Sequence, residues 1–221
     1  MREGGRGVAP HSAARRHKAH RVGASQTLIA LAAVAALAAL LVPTALAARV
    51  SVRIEGRFQP LFGSLTTRFE AGPTALSALD GASGRGEFYY HVTQSSFGPY
   101  VDQIGKFAAE GSNGWTYKVN GISPPVGADK YQLKAGDRVL WYWAAFGPTG
   151  GPPTLLLTRT RRDCYRVVAE NDQGADSVPA GAFLNVDGRH IRTRRGRACV
   201  GRHRGIVMAT AVGAVRSNAL T

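Results

Sequence analysis

The chain has 221 residues with 28 Lys and Arg against 14 Asp and Glu, a formal charge of +14, 27 glycines, 11 prolines and two cysteines. Short apolar runs bounded by turn residues leave room for one or two small domains built from pleated sheets and exclude a helical bundle. Such basic composition raises nucleic acid as a partner, but an export signal at the amino terminus removes that reading.

Leu28 to Val42 is an uninterrupted apolar run, preceded by Arg15, Arg16, Lys18 and Arg21 and followed by Ala45-Leu46-Ala47. A basic region, an apolar stretch and a small-x-small site read as a secretory signal peptide over residues 1–47, cleaved after Ala47, so the expected location is extracellular. The competing reading is an uncleaved anchor, the one case in which a membrane becomes a partner. The first 26 residues hold three of the six histidines. They read as a long leader rather than a metal site and are excluded from the fold. Without residues 1–47 the chain keeps 22 basic and 13 acidic side chains, +9.

Residues 48–146 are read as the first domain. Val50 to Gly56 alternates as a strand with Val50, Val52 and Ile54 inward and Ser51, Arg53 and Glu55 outward. Ser64 to Phe69 reads as a second strand. Thr74 is placed to cap a short helix with Ala75, Leu76, Leu79 and Ala82 at helical spacing, ending near Gly81 or Gly84. Glu87 to Val92 is rich in β-formers, and Ser95 to Val101 is a loop entering another strand. Next comes the segment Asn113 to Trp143. Trp115, Tyr117 and Val119 share one strand face and Thr116 and Lys118 the other; Asn120-Gly121 makes a tight turn, and Lys134 to Asp137 makes a second. In the following strand Val139, Trp141 and Trp143 oppose Leu140 and Tyr142. Two apolar faces suggest a central strand, or one whose outer face is kept for a ligand.

Ser96, Gly98, Tyr100, Val101 and Ile104, then Trp115, then Val126, Gly127, Ala128, Asp129 and Tyr131, then Gly136 and Asp137 resemble a bacterial secreted domain of unknown function that is similar to the C-terminal β-domain of transcobalamin and intrinsic factor. The likeness spans roughly residues 50 to 146. It implies an α+β, β-grasp-like domain with one short helix. In the vertebrate carriers this domain closes over a cobalamin held by a large helical domain, which this chain lacks, so cobalamin binding does not follow from the fold. Gly114 and Thr116 depart from the carriers' pattern.

Gly147 to Pro153 has linker chemistry, so a boundary is expected there with little stable packing across it. From Thr154 to Thr221 the pattern is all strand: Leu155 to Leu157, Tyr165 to Ala169, Ala182 to Val186, His190 to Thr193, Cys199-Val200 and Ile206 to Thr210. Turn signals every eight to twelve residues suggest a small β-sandwich. The order GADSVPAGAFLNVDGRHIRTRRGRACV resembles the prealbumin-like or carboxypeptidase-regulatory-like sandwich of secreted bacterial proteins, over about residues 155 to 218. Cys164 and Cys199 read as a disulfide in an exported chain; a reactive thiol pair or a zinc site is the alternative, and His190 and His203 are too few ligands for zinc. This domain carries +7, either as a solvated face or as a surface for anionic wall polymers or lipid headgroups.

Signatures of an enzyme are missing: no G-x-S-x-G, no H-E-x-x-H, no phosphate loop. His91, Ser95 and Asp102 make a triad only on paper, so no catalytic residue and no metal ligand is assigned. What stands out is nine of the 18 aromatics between Phe97 and Trp143, which either fill the core or form a platform for a flat ligand. The carriers use the loop matching Ser96 to Tyr100 and the strand near Trp115 against their ligand. The resemblance therefore implies a ligand face at Ser96, Phe97, Tyr100, Trp115 and Tyr117. The reading is a secreted, non-catalytic binding module for a small ring-shaped ligand, with a cobalamin-like corrinoid as the candidate and no cofactor required. The alternative is an adhesive surface module that contacts anionic envelope polymers through its Arg-rich second domain.

Overall fold

The computed structural model describes residues 47–221 except positions 66, 97 and 149. The expected signal segment, over residues 1–46, and Phe97 lie outside the described residues. Thirteen elements would suffice for the sequence pattern, but the described residues form sixteen strands and a single helix.

Strand β1 (Ala48–Glu55) is the hub of the first lobe. The next strands are β2 (Pro60–Phe62) and β3 (Arg68–Ala71), which pair antiparallel with the end and the start of β1. The single strand expected over Ser64 to Phe69 is thus replaced by these two, because Gly63 turns the chain at φ 67° and Leu65 only bridges to Ala219. Helix α1 (Ala75–Gly86) starts where the sequence puts it. The Ser77 N–H donates to the Thr74 hydroxyl at 3.1 Å and the Thr74 N–H to the Ser77 hydroxyl at 2.8 Å, which satisfies two helix-end donors. It runs past both expected stops, Gly81 and Gly84, to Glu87 at φ 51°.

Three short strands, β4 (Tyr90–Ser95), β5 (Gly98–Ile104) and β6 (Phe107–Ala108), make an antiparallel sheet of their own. β7 (Asn113–Val119) and β8 (Arg138–Ala145) return to the hub, β8 lying parallel to β1 and β7 antiparallel to β8. The Asn120-Gly121 turn after β7 has both residues at positive φ, 54° and 89°. One face of this sheet, with Val50, Val52, Ile54, Trp115, Tyr117 and Trp141, closes on Ala75, Ala78, Leu79 and Ala82 of α1.

The second lobe has two four-stranded sheets around one core of Leu155, Leu157, Tyr165, Val167, Leu184, Val186, Val207 and Ala209. The first contains β9 (Thr154–Arg161), β10 (Cys164–Glu170), β11 (Asp176–Ser177) and, from later in the chain, β14 (Arg197–Cys199). The second contains β12 (Phe183–Val186), β13 (Arg189–Arg192), β15 (Val207–Thr210) and β16 (Ala219–Leu220). Cys164 and Cys199 face each other on β10 and β14 and form the expected disulfide.

Two expectations are corrected. The α+β class does not hold: one twelve-residue helix against four sheets makes the described residues mostly β. The helical periodicity is local, and the first three strands after it, β4 to β6, build a separate three-stranded sheet. Nor does the Gly/Pro stretch separate two independent packing units. Lys118, fully buried on β7, donates to the Glu170 and Asn171 carbonyls at 3.0 and 2.8 Å and lies 3.5 Å from the Asp172 carboxylate. Leu140, Tyr142 and Ala144 on the outer face of β8 pack on Val215. The second apolar face of β8 is therefore covered by the second lobe. Composition of a connecting segment reports its stiffness, not what the flanking faces do.

Candidate functional site

The five residues of the expected ligand face do not come together as a surface. Ser96 is exposed in the turn between β4 and β5, and Phe97 is outside the described residues. Tyr100 on β5 is 39% exposed, with its hydroxyl lying where a Cβ on Gly114 would come within 2.5 Å; burial raises its pKa. Trp115 is 2% and Tyr117 8% exposed. The Trp115 indole N–H donates to the Phe107 carbonyl at 2.8 Å, and the Tyr117 hydroxyl to the Val126 carbonyl at 2.7 Å. Tyr117 also stacks on Trp141 with ring centroids 5.3 Å apart, and burial pushes its pKa up to about 12. These two side chains are buried in the core and present no face to a ligand. Of the two readings of the aromatics, the core takes Trp115, Tyr117, Trp141 and Tyr142.

The paper triad is partly assembled. His91 Nδ1 and Asp102 Oδ1 are 2.7 Å apart across β4 and β5, both at the surface. Ser95, however, donates to the Gly98 carbonyl at 2.8 Å, and a strand rise of about 3.3 Å per residue puts its Cα about 13 Å from that of His91. Among the described residues no three of His, Cys, Asp and Glu gather in a group that could hold a metal ion.

Two other places have the makings of a site. The first is an open groove of about 470 Å³ whose lining includes Trp143, Arg57, Gly147, Gly151, Pro152 and Arg216. Trp143 is the partly exposed member of the three tryptophans. Its ring is fixed from behind by Trp115, edge-on at 5.6 Å, and by Phe107 at 6.0 Å. At the groove rim Arg216 is committed: its Nε donates to Glu55 at 3.0 Å, and Arg53 donates to the same carboxylate at 3.2 Å. Arg57 is exposed, with its guanidinium 5.1 Å from the ring centre of Phe58, itself 70% exposed.

The second is the arginine surface of the second lobe. Arg166 and Arg197 are register partners on β10 and β14, so their exposed side chains stand side by side on one face. Beyond them the turn Arg194-Arg195-Gly196-Arg197 is closed by paired backbone hydrogen bonds, with Arg195 at φ 51° and Gly196 at φ 70°. Arg161, opposite Cys164, donates from Nε to the Cys164 sulfur at 3.3 Å. Of the exposed arginines in this lobe, only Arg162 has a carboxylate within 4 Å among the described residues, Asp163 at 3.8 Å. Two of the lobe's acids are otherwise engaged. Asp172 receives the Ser123 hydroxyl and faces Lys118, and Asp187 accepts the backbone N–H groups of Arg204 and Gly205, which hold its pKa below the usual carboxylate value.

Sequence reasoning had the basic excess of this lobe but not its focus on the β10–β14 face. The signal was the run Arg192 to Arg197, interrupted by the Gly196 turn. It missed Arg57 and Lys118; for Lys118, an isolated cation between apolar alternations on a strand was the available sign.

Residues 72–145 match a family model described as Domain of unknown function (DUF4430). That segment begins just before α1 and ends with β8, so it covers the helix, the three-stranded sheet and the β7–β8 pair. The match supports the expected domain of unknown function and says nothing of transcobalamin. No curated protein matches the chain. Among the described residues no helix is long and apolar enough to cross a membrane.

Proposed function

We propose that the chain is an exported, non-catalytic module that adheres to anionic polymers of the cell envelope through the arginine surface of its second lobe. The observation that carries this reading is that, among the described residues, the exposed arginines of this lobe have no carboxylate within 4 Å, Arg162 excepted. An ordinary solvated face intersperses both signs. Here like charges sit directly opposite at Arg166 and Arg197, an arrangement that costs stability. Arg195 adds to that cost by holding a left-handed conformation that asparagine or glycine adopts more readily. A fold that bears such a surface gains when a row of phosphates or carboxylates lies on it. The disulfide fits an oxidising, extracellular setting, and the leader-like segment in the sequence supports export.

The corrinoid reading draws on the resemblance to the transcobalamin C-terminal domain. It needs ring faces at Trp115 and Tyr117, which are turned into the core, so the arginine surface is the better supported of the two. The test is retention on immobilised poly(glycerol phosphate) beside neutral dextran, across a salt gradient. Retention on the polyphosphate that fades as salt screens it, with none on dextran, is expected. Equal retention on both supports, or retention that salt does not change, overturns the proposal.

A further inference from the structure

The Trp143 groove is independent of the arginine surface and has a different chemistry. Its lining combines an indole, Trp143, with short or rigid residues such as Gly147, Gly151 and Pro152, and with the cation Arg57. The Trp143 indole is packed against Trp115 and Phe107. Glycine walls present main-chain groups instead of side chains, a lining that suits hydroxyls. At about 470 Å³ it is within the range of small-ligand sites.

The rim charge decides what kind of ring fits. Arg216 and Arg53 share the Glu55 carboxylate, which is buried and neutralised there. Arg57 has no carboxylate within 4 Å among the described residues and rests against Phe58, so its guanidinium is held near the groove and available to a ligand anion. A neutral sugar would leave that cation unused, and a flat apolar molecule would leave the peptide lining unpaired.

We infer that this groove binds one acidic sugar ring, a uronic acid, with the ring's C–H face on Trp143 and its carboxylate on Arg57. The reading does not rest on the arginine surface, and short oligomers separate the two. The probes are trigalacturonate and neutral trigalactose, read by tryptophan fluorescence with the full exported protein. Trp143→Ala removes the indole but also loosens Trp115 and Phe107. A second blocking variant, Gly147→Leu, avoids this, since a Cβ there meets nothing within 4 Å.

Expected are a saturable change with trigalacturonate, at least tenfold weaker binding of trigalactose, and loss of that preference in Arg57→Gln. Gly147→Leu should abolish the response to both while keeping the melting temperature. The variant Arg166→Ser/Arg195→Asn/Arg197→Ser should respond as the parent does. No saturable change, equal affinity for the two sugars, an unaltered response in Gly147→Leu, or a loss that follows the second-lobe variant in place of Arg57→Gln would each overturn the inference. Failure of polymer retention alone would remove the adhesive reading and leave this one standing.

Discussion

The molecule treats its cations in two opposite ways. At the seam between the lobes Lys118, Arg53 and Arg216 are buried or half-buried, and each is matched: Lys118 by two carbonyls and Asp172, the two arginines by Glu55. On the β10–β14 face Arg166 and Arg197 are exposed and, among the described residues, have no carboxylate within 4 Å. Desolvation explains the first arrangement, because a charge removed from water must be paired or it unfolds the site. Nothing in the fold demands the second. The difference separates what the chain needs to fold from what it carries for use, and it can be broken at either end.

The largest effect is expected at the seam. Lys118→Met removes the donor from two carbonyls and leaves Asp172 without its cation, and loss of one partner from a buried pair costs about 3 kcal/mol. Urea unfolding of the parent and the variant measures it. A loss under about 1 kcal/mol would mean that the seam is held by the apolar contact of Tyr142 with Val215 and that the charges are incidental. Asp172→Asn, which keeps an acceptor and lies partly in solvent, should cost less.

A smaller effect follows from titration. Burial lowers the pKa of Lys118, with Asp172 opposing the shift. In alkaline solution, up to the unfolded chain's value of 10.5, the unfolded state therefore holds more protons at this position than the folded state. Stability contributed by the site rises with pH across that window. Taken as the difference between the parent and Lys118→Met, the slope should be positive and below about 1.4 kcal/mol per pH unit, the limit for one proton. Using the difference cancels Tyr90 and Tyr117, whose pKa values are raised to about 12 and which act in the opposite sense above pH 10. A flat difference would place Lys118 in a wetter site than its contacts imply.

Much of the scaffold was legible because local chemistry fixes it. The strand at Val50 to Ile54, the Thr74 cap, the Asn120-Gly121 turn and the cysteine pair each depend on neighbours in sequence, and each appears where expected. What failed depended on distant partners. Ser51, Arg53 and Glu55 alternate as a solvent face, yet Arg53 and Glu55 meet Arg216 from the far end of the chain. The apolar back of β8 could equally have served a ligand, and period-two alternation cannot tell that Val215 covers it. The candidate site failed for the same reason. Trp115 and Tyr117 lie on one strand face, but whether that face meets the core or water is a tertiary fact.

The smallest effect on stability, and the most informative on function, is expected from Arg166→Ser/Arg195→Asn/Arg197→Ser. The first and third changes remove like charges placed directly across from each other, and the second puts a residue that tolerates the left-handed region at φ 51°. None of the three side chains holds a carboxylate within 4 Å among the described residues. Thermal unfolding should therefore show no loss, and a gain of up to about 1 kcal/mol is consistent with relief of repulsion and strain. Retention on poly(glycerol phosphate) should fall at least tenfold at low salt, with a shallower salt dependence. If stability instead dropped by more than about 1 kcal/mol, the arginines would be structural after all, and the seam and the surface would obey one rule, not two.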